Sequence, residues 1–236
     1  MNLRLSPLLK RVEGRLLLAW LASAGLLWAF FSIGGEMMEG ETRAADERLL
    51  LMLRTPGDPS DPIGPHWLEE SMRDVTALGD VTFLTLATIV GVITLVFHRK
   101  RVHALIFLGA VLAAQVSSEL LKDVYDRPRP SLVPHGSWVY SASFPSGHST
   151  LSAATFFILA AVIADLEKTL PAKIFVVVLA AIVVVAVGFS RVYLGVHWPS
   201  DVLAGWSLGS MWALLAFSIL RSLRPARVES GSAPVA

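Results

Sequence analysis

The chain has no cysteine in its 236 residues. That excludes disulfides and cysteine-ligated zinc, though it leaves the redox compartment open. It also lacks a surplus of either charge: 20 Lys and Arg stand against 19 Asp and Glu, a formal net charge of +1. No global field would draw nucleic acid to it, so nucleic acid is not an expected partner. Charged residues make up only 17% of the chain against 54% hydrophobic residues, and the mean hydropathy is +0.60. This is too apolar for an ordinary soluble domain. There is no internal repeat, low-complexity tract or second domain.

What the chain does have is long apolar runs. Crossing a bilayer takes roughly 20 mostly apolar residues, within a range of about 17 to 25. Six segments qualify: 16–35, 81–97, 102–121, 148–164, 172–189 and 202–220. The first is long for the apolar part of a secretory signal and no clear small-residue cleavage site follows it, so it reads as a retained span. Six such segments in one short chain argue against buried helices of a soluble protein. The expected fold is an all-α, polytopic membrane protein: six transmembrane helices with a helical-bundle core. Residues 1–80 form the first span and a connector, 81–221 a core of five spans, and 222–236 a tail.

Positive residues in short loops face the cytoplasm. Arg4, Lys10, Arg11 and Arg15 precede the first span, and Arg99, Lys100 and Arg101 join the second to the third. Lys168 and Lys173 join the fourth to the fifth, and Arg221, Arg224 and Arg227 end the chain. All four segments fall on one side if six spans are real, which places both termini inside. Segments 36–80, 122–147 and 190–201 then face out. The first is acidic, and TPGDPSDPIGP within it is a turn-rich break. HWLEESMRDVTAL after it has the pattern of a short helix on the membrane surface, or of a solvated connector.

The other two outer segments breach the positive-inside preference. One carries Lys122, Arg127 and Arg129, the other Arg191 beside His197 and Asp201. Any one such charge is commonly a plain anchor at the rim, but cations beside ionisable groups at a membrane boundary point to function. Lys and Arg suit phosphate. Pro145-Ser146-Gly147 stands just before an apolar run, so Ser146 can cap a helix whose first free N–H groups make an anion site. Gly147 admits a ligand close to the backbone.

A phosphate ester needs a nucleophile and an acid for the leaving oxygen. His197 can attack phosphorus. Asp201, four residues on and just past Pro199-Ser200, can reach back to fix its tautomer if a helix starts there. His148 is then the acid. A zinc site of two histidines and an aspartate is the competing reading, disfavoured because Lys122, Arg129 and Arg191 repel a divalent cation and can themselves stabilise a phosphoryl group.

These residues resemble the type 2 phosphatidic acid phosphatase family, in the superfamily that also holds the vanadium-dependent haloperoxidases. Lys122, six residues, and Arg129-Pro130 match its first motif; Pro145 to His148 match its second; Ser190-Arg191, His197 and Asp201 match its third. The resemblance covers about residues 81–220. It implies that Lys122, Arg129, Ser146, Gly147 and Arg191 bind phosphate, with His197 as nucleophile, Asp201 orienting it and His148 as acid. It implies a phosphohistidine intermediate, no metal or other cofactor, and inhibition by vanadate. Arg127 has the wrong spacing and reads as a rim charge, so Arg129→Ala is expected to lose more activity than Arg127→Ala. His135 lies outside the pattern. The implied substrate is a membrane lipid phosphate reached sideways from the bilayer: phosphatidate, phosphatidylglycerophosphate, a polyprenyl diphosphate or lipid A. A lipid phosphotransferase would use the same phosphohistidine. A haloperoxidase fits poorly with six spans, and a non-catalytic lipid-binding or transport protein fits poorly with an intact motif set.

Overall fold

The computed structural model describes residues 7–137 and 141–223. Arg4, Arg224, Arg227 and most of the expected tail lie outside the described residues. Among the described residues, eight helices and one hairpin follow in order: α1 Pro7–Met38, α2 Arg43–Leu51, β1 Arg54–Thr55, β2 Asp58–Pro62, α3 His66–Ala77, α4 Val81–Phe97, α5 Arg101–Tyr125, α6 Gly147–Leu166, α7 Leu170–Tyr193 and α8 Pro199–Ser222. The two short strands pair antiparallel.

The helix starts follow local chemistry. Asp80 caps α4 by accepting the Thr82 N–H at 2.8 Å, and Ser146 caps α6 by accepting the Ser149 N–H at 3.4 Å. α7 and α8 each carry proline in the first turn, where its missing N–H costs nothing. Among the described residues, five helices are long and apolar enough to cross a membrane. α4 has 17 residues, about 25 Å at 1.5 Å per residue. It joins α3 across a 45° bend, and that pair makes the sixth candidate span. Large apolar side chains on the outward faces, such as Leu105, Phe97 and Phe175, remain exposed, as lipid-facing residues do.

The α6 helix lies at the centre, packed by α4, α5, α7 and α8, while α1 lies along α8. Small residues bring α6 and α8 together. A Cβ added to Gly205 would stand 2.7 Å from the Ser146 carbonyl oxygen, and one added to Gly209 would stand 2.8 Å from the Ala153 Cβ. Gly205 and Gly209 form a Gly-x-x-x-Gly pair, the pattern that lets membrane helices touch at the backbone. Phe107, Ile158 and Ala216 fill one half of the core, and Phe30, Phe144 and Leu208 fill the other.

The helices run past the ends of the apolar segments: Lys122 and Arg191, expected in the outer segments, lie on the last turns of α5 and α7. Asp201 lies on the first turn of α8, as expected for a helix that starts at Pro199. Hydropathy stops at a charge, but a helix continues while its backbone bonds continue. The α3 helix packs on α7, with Thr76 buried.

Candidate active site

One end of the bundle gathers the C-termini of α5 and α7, the N-termini of α6 and α8, and the 126–146 loop. The α7–α8 turn is tight. Gly195 takes a left-handed φ of 71°, and an added Cβ there would meet Val133 at 2.6 Å. The Val196 and His197 N–H groups both return to the Arg191 carbonyl, at 3.2 and 3.3 Å. His197 is thereby held at the mouth of α8, which starts at Pro199 and carries Asp201 in its first turn.

Asp201 Oδ2 accepts the Trp198 N–H at 2.9 Å and lies 3.4 Å from His197 Nδ1. Ser143 Oγ donates to the same carboxylate oxygen. With the Nδ1 proton directed at Asp201, the lone pair of His197 Nε2 faces the loop, where Arg129 Nη1 stands 3.1 Å away. Arg129 is itself held by the Val196 and Ser141 carbonyls at 2.7 and 2.8 Å. Burial lowers the His197 pKa to about 4; Asp201 partly offsets the shift, while Arg191 and Arg129 deepen it. His197 is thus neutral at physiological pH.

The pKa has a consequence for stability. Between about pH 4 and 6.5 the unfolded chain binds a proton that folded His197 refuses. Stability therefore falls as pH drops through that window, by up to about 1.4 kcal/mol per pH unit, and His197 adds no loss below it. Thermal unfolding in detergent from pH 7 to 4 should show this slope in the wild type and a shallower one in His197→Gln. Equal slopes would contradict the assignment.

The α6 mouth faces this pair. Ser146 is fully buried and its N–H donates to the Asp201 carbonyl at 3.0 Å, stitching the start of α6 to the start of α8. Its hydroxyl accepts from Ser149 N and Ser149 Oγ, which caps the helix. Lys122 overhangs the same helix end: a Cβ on Gly147 would stand 3.3 Å from its ammonium nitrogen. Lys122 is nearly buried and donates to Glu119 at 2.9 Å. His148 is half-buried, within electrostatic reach of Arg191, His197, Lys122 and Arg129. Arg191 is buried and donates to Thr76 Oγ1 at 2.9 Å, while its Nε has no partner among the described residues. All eight residues marked in the sequence therefore collect at one end of the bundle.

The structure also brings in residues the sequence reading did not mark. Arg127 is not a rim charge. Its side chain is 10% exposed and it donates to Asp201 Oδ1, to Ser200 Oγ at 2.7 Å and to Asp46 Oδ2 at 2.7 Å. Asp46 comes from α2 in the connector, 3% exposed, and accepts the Ser200 N–H at 2.9 Å. Gly79, at the α3–α4 bend, abuts His148: an added Cβ would stand 3.2 Å from the histidine Cβ. No local pattern distinguishes Asp46, Thr76 or Gly79 within their acidic or polar surroundings. Ser143 does lie in the SASFPSGH stretch, where a polar run before the cap was a usable signal. His135 binds the Pro130 carbonyl at 2.7 Å and makes no hydrogen bond to these residues.

A family profile described as the PAP2 superfamily matches residues 103–225. Phosphatidylglycerophosphatase B of Bacillus subtilis is 39% identical over 162 residues, covering 66% of this chain and 74% of the relative. Undecaprenyl-diphosphatase of Sulfolobus acidocaldarius is 33% identical over 130 residues, covering 53% of this chain and 59% of that one. Among solved structures, a transmembrane PAP2-type phosphatidylglycerolphosphate phosphatase from Bacillus subtilis aligns with a TM-score of 0.75 at 29% identity, over 87% of this chain and 98% of its own. The chain is a multi-pass membrane protein that belongs to the PAP2 superfamily, among its membrane lipid phosphatases.

Proposed function

We propose that this lipid phosphatase hydrolyses a phosphomonoester or diphosphate headgroup through a phosphohistidine on His197, without a metal. The observation that carries the reading is the His197–Asp201 pair, with Nε2 turned toward Arg129 in a setting of three cations. Lys122, Arg129, Arg191, Ser146 and the Gly147 amide hold the phosphoryl oxygens, and Ser146 also caps the helix end that presents that amide. Arg129 moves from Nε2 onto an oxygen as substrate arrives. Nε2 attacks phosphorus as the bond to the leaving oxygen breaks, and His148 gives that oxygen its proton. Asp201 stabilises the positive charge that develops on the imidazole. Water, giving its proton to His148, then attacks the phosphohistidine and releases inorganic phosphate. The cations offset the charge spread over the phosphoryl oxygens. Among the described residues no group of three or more His, Asp or Glu side chains has the arrangement of a metal site.

The charge pattern of the loops supports both termini in the cytoplasm and the site on the outer face. Substrate tails stay in the bilayer while the headgroup enters from the side. The relatives named for phosphatidylglycerophosphate and undecaprenyl diphosphate support headgroups of both kinds.

The test is phosphate release in detergent with EDTA, across phosphatidate, phosphatidylglycerophosphate, a polyprenyl diphosphate and lipid A. Release that survives EDTA is expected, and loss of release that added divalent metal restores would overturn the metal-free reading. Arg129→Ala should lower kcat/KM by roughly 10²- to 10³-fold, as loss of one transition-state donor does. Arg129→Lys should recover little of it, because an ammonium cannot reproduce the planar fork. Wild-type kinetics in Arg129→Ala would remove that residue from the site.

A further inference from the structure

We propose that Asp46, supplied by the outer connector, is a positioning residue of this reaction: through Arg127 it preserves the negative charge with which Asp201 supports His197. The inference rests on His197 being the nucleophile. Asp46 touches neither imidazole nor phosphate in this arrangement. It holds one side of the Arg127 guanidinium at 2.7 Å, and Asp201 holds the other. The three groups are all nearly buried: Asp46 3%, the Arg127 side chain 10%, Asp201 0%. Water therefore screens them weakly, and their charges act as a sum.

That sum decides the behaviour of His197. Arg127 alone would cancel Asp201, leaving no net charge to stabilise the cation that forms on the imidazole. With Asp46 present, the trio carries one net negative charge beside Nδ1. The other charged or titratable groups facing His197 are Arg129 from the 126–146 loop, Arg191 from α7 and His148 from α6, and none supplies a compensating anion. Lys122 on α5 and Asp80 at the α4 cap act one step further out. Asp46 also accepts from Ser200 N and Oγ at 2.9 and 2.6 Å, so it caps α8 as well. A cap alone would contribute stability without setting the charge at the nucleophile, and this separates the two roles experimentally.

The test uses the full-length protein in detergent and two variants. Asp46→Asn is close to isosteric, retains an acceptor for Ser200, and makes the trio neutral. Asp46→Asn/Arg127→Gln returns the net charge to that of the wild type. Asp46→Asn should lower kcat about tenfold with KM little changed, and should move the acid limb of the kcat/KM profile down by about one pH unit. The double variant should bring the limb back to its wild-type position and recover part of kcat, a non-additive result. If Asp46→Asn does not accumulate as folded protein, Asp46→Ser, also neutral and with a hydroxyl for Ser200, is read in its place: a limb moved down supports the proposal and a wild-type limb overturns it. A wild-type limb and kcat in Asp46→Asn, or a double variant worse than the single with the limb unmoved, shows a cap and nothing more. The same preparations include His197→Ala. If that variant still releases phosphate, the underlying reading fails; if it is dead while Asp46→Asn behaves as wild type, only this inference fails.

Discussion

His197→Ala should lower phosphate release by on the order of 10⁴-fold or more, with KM for the lipid phosphate nearly unchanged. The proposed binding groups Lys122, Arg129 and Arg191 stand on other elements, and Arg129, though it loses its contact with Nε2, keeps the Val196 and Ser141 carbonyls. Only the proposed nucleophile goes, so the loss falls on kcat. Folding should survive, because Asp201 keeps Arg127, Ser143 and the Trp198 N–H when the imidazole is gone. The cavity left at a fully buried site will lower the unfolding temperature in detergent by a few degrees, roughly what 1 kcal/mol or so does in a chain of this size. A rise in KM with kcat retained would make His197 a binding group. A variant that does not fold would require a gentler replacement, His197→Gln, read by the same kcat-against-KM division.

The second large effect lies on stability. Arg127→Ala leaves two buried carboxylates, Asp46 and Asp201, without the cation they share. Removing one partner of a buried ion pair typically costs about 3–5 kcal/mol, because the remaining charge is left uncompensated in a low dielectric. Against a net stability of roughly 5–15 kcal/mol that is a large fraction. The variant should show a strongly lowered unfolding temperature and low yield of folded protein. Arg129→Ala, in contrast, should unfold near the wild-type temperature, since Arg129 is only half-buried and its loss orphans no carboxylate. Activity lost by the two variants therefore has different origins: transition-state charge for Arg129, integrity of the α2–α8 junction for Arg127. The expectation that Arg129→Ala is the worse of the two for activity has to be judged per folded molecule. Equal unfolding temperatures for the two variants would contradict the buried-network account.

Much of this was readable from the chain. The spans were legible because Val, Leu and Ile runs such as 172–189 have no alternative in water, and their order sets which ends meet. The motif residues were legible because cations and histidines at the rim of an apolar run need a reason to be there. What the chain concealed depends on contacts distant in sequence. Asp46 meets Arg127 across 81 positions, and within an acidic connector nothing marks it from Glu41 or Glu47. Arg127 sat two residues from the motif arginine, and spacing alone made it look idle. Thr76 and Gly79 gain their roles only because α3 bends against α7 and brings them onto Arg191 and His148. The ends of α5 and α7 were set too early because a charged side chain ends an apolar run without ending a helix.

The covalent intermediate is the most direct test of the central claim. Wild-type protein would be mixed with a lipid phosphate labelled on its terminal phosphoryl group, quenched within the first turnover in alkali, digested, and the label located by mass spectrometry. The account predicts an alkali-stable, acid-labile phosphate on His197, and none in His197→Ala. Label on another residue, or full turnover with no labelled residue at any time point, would contradict it.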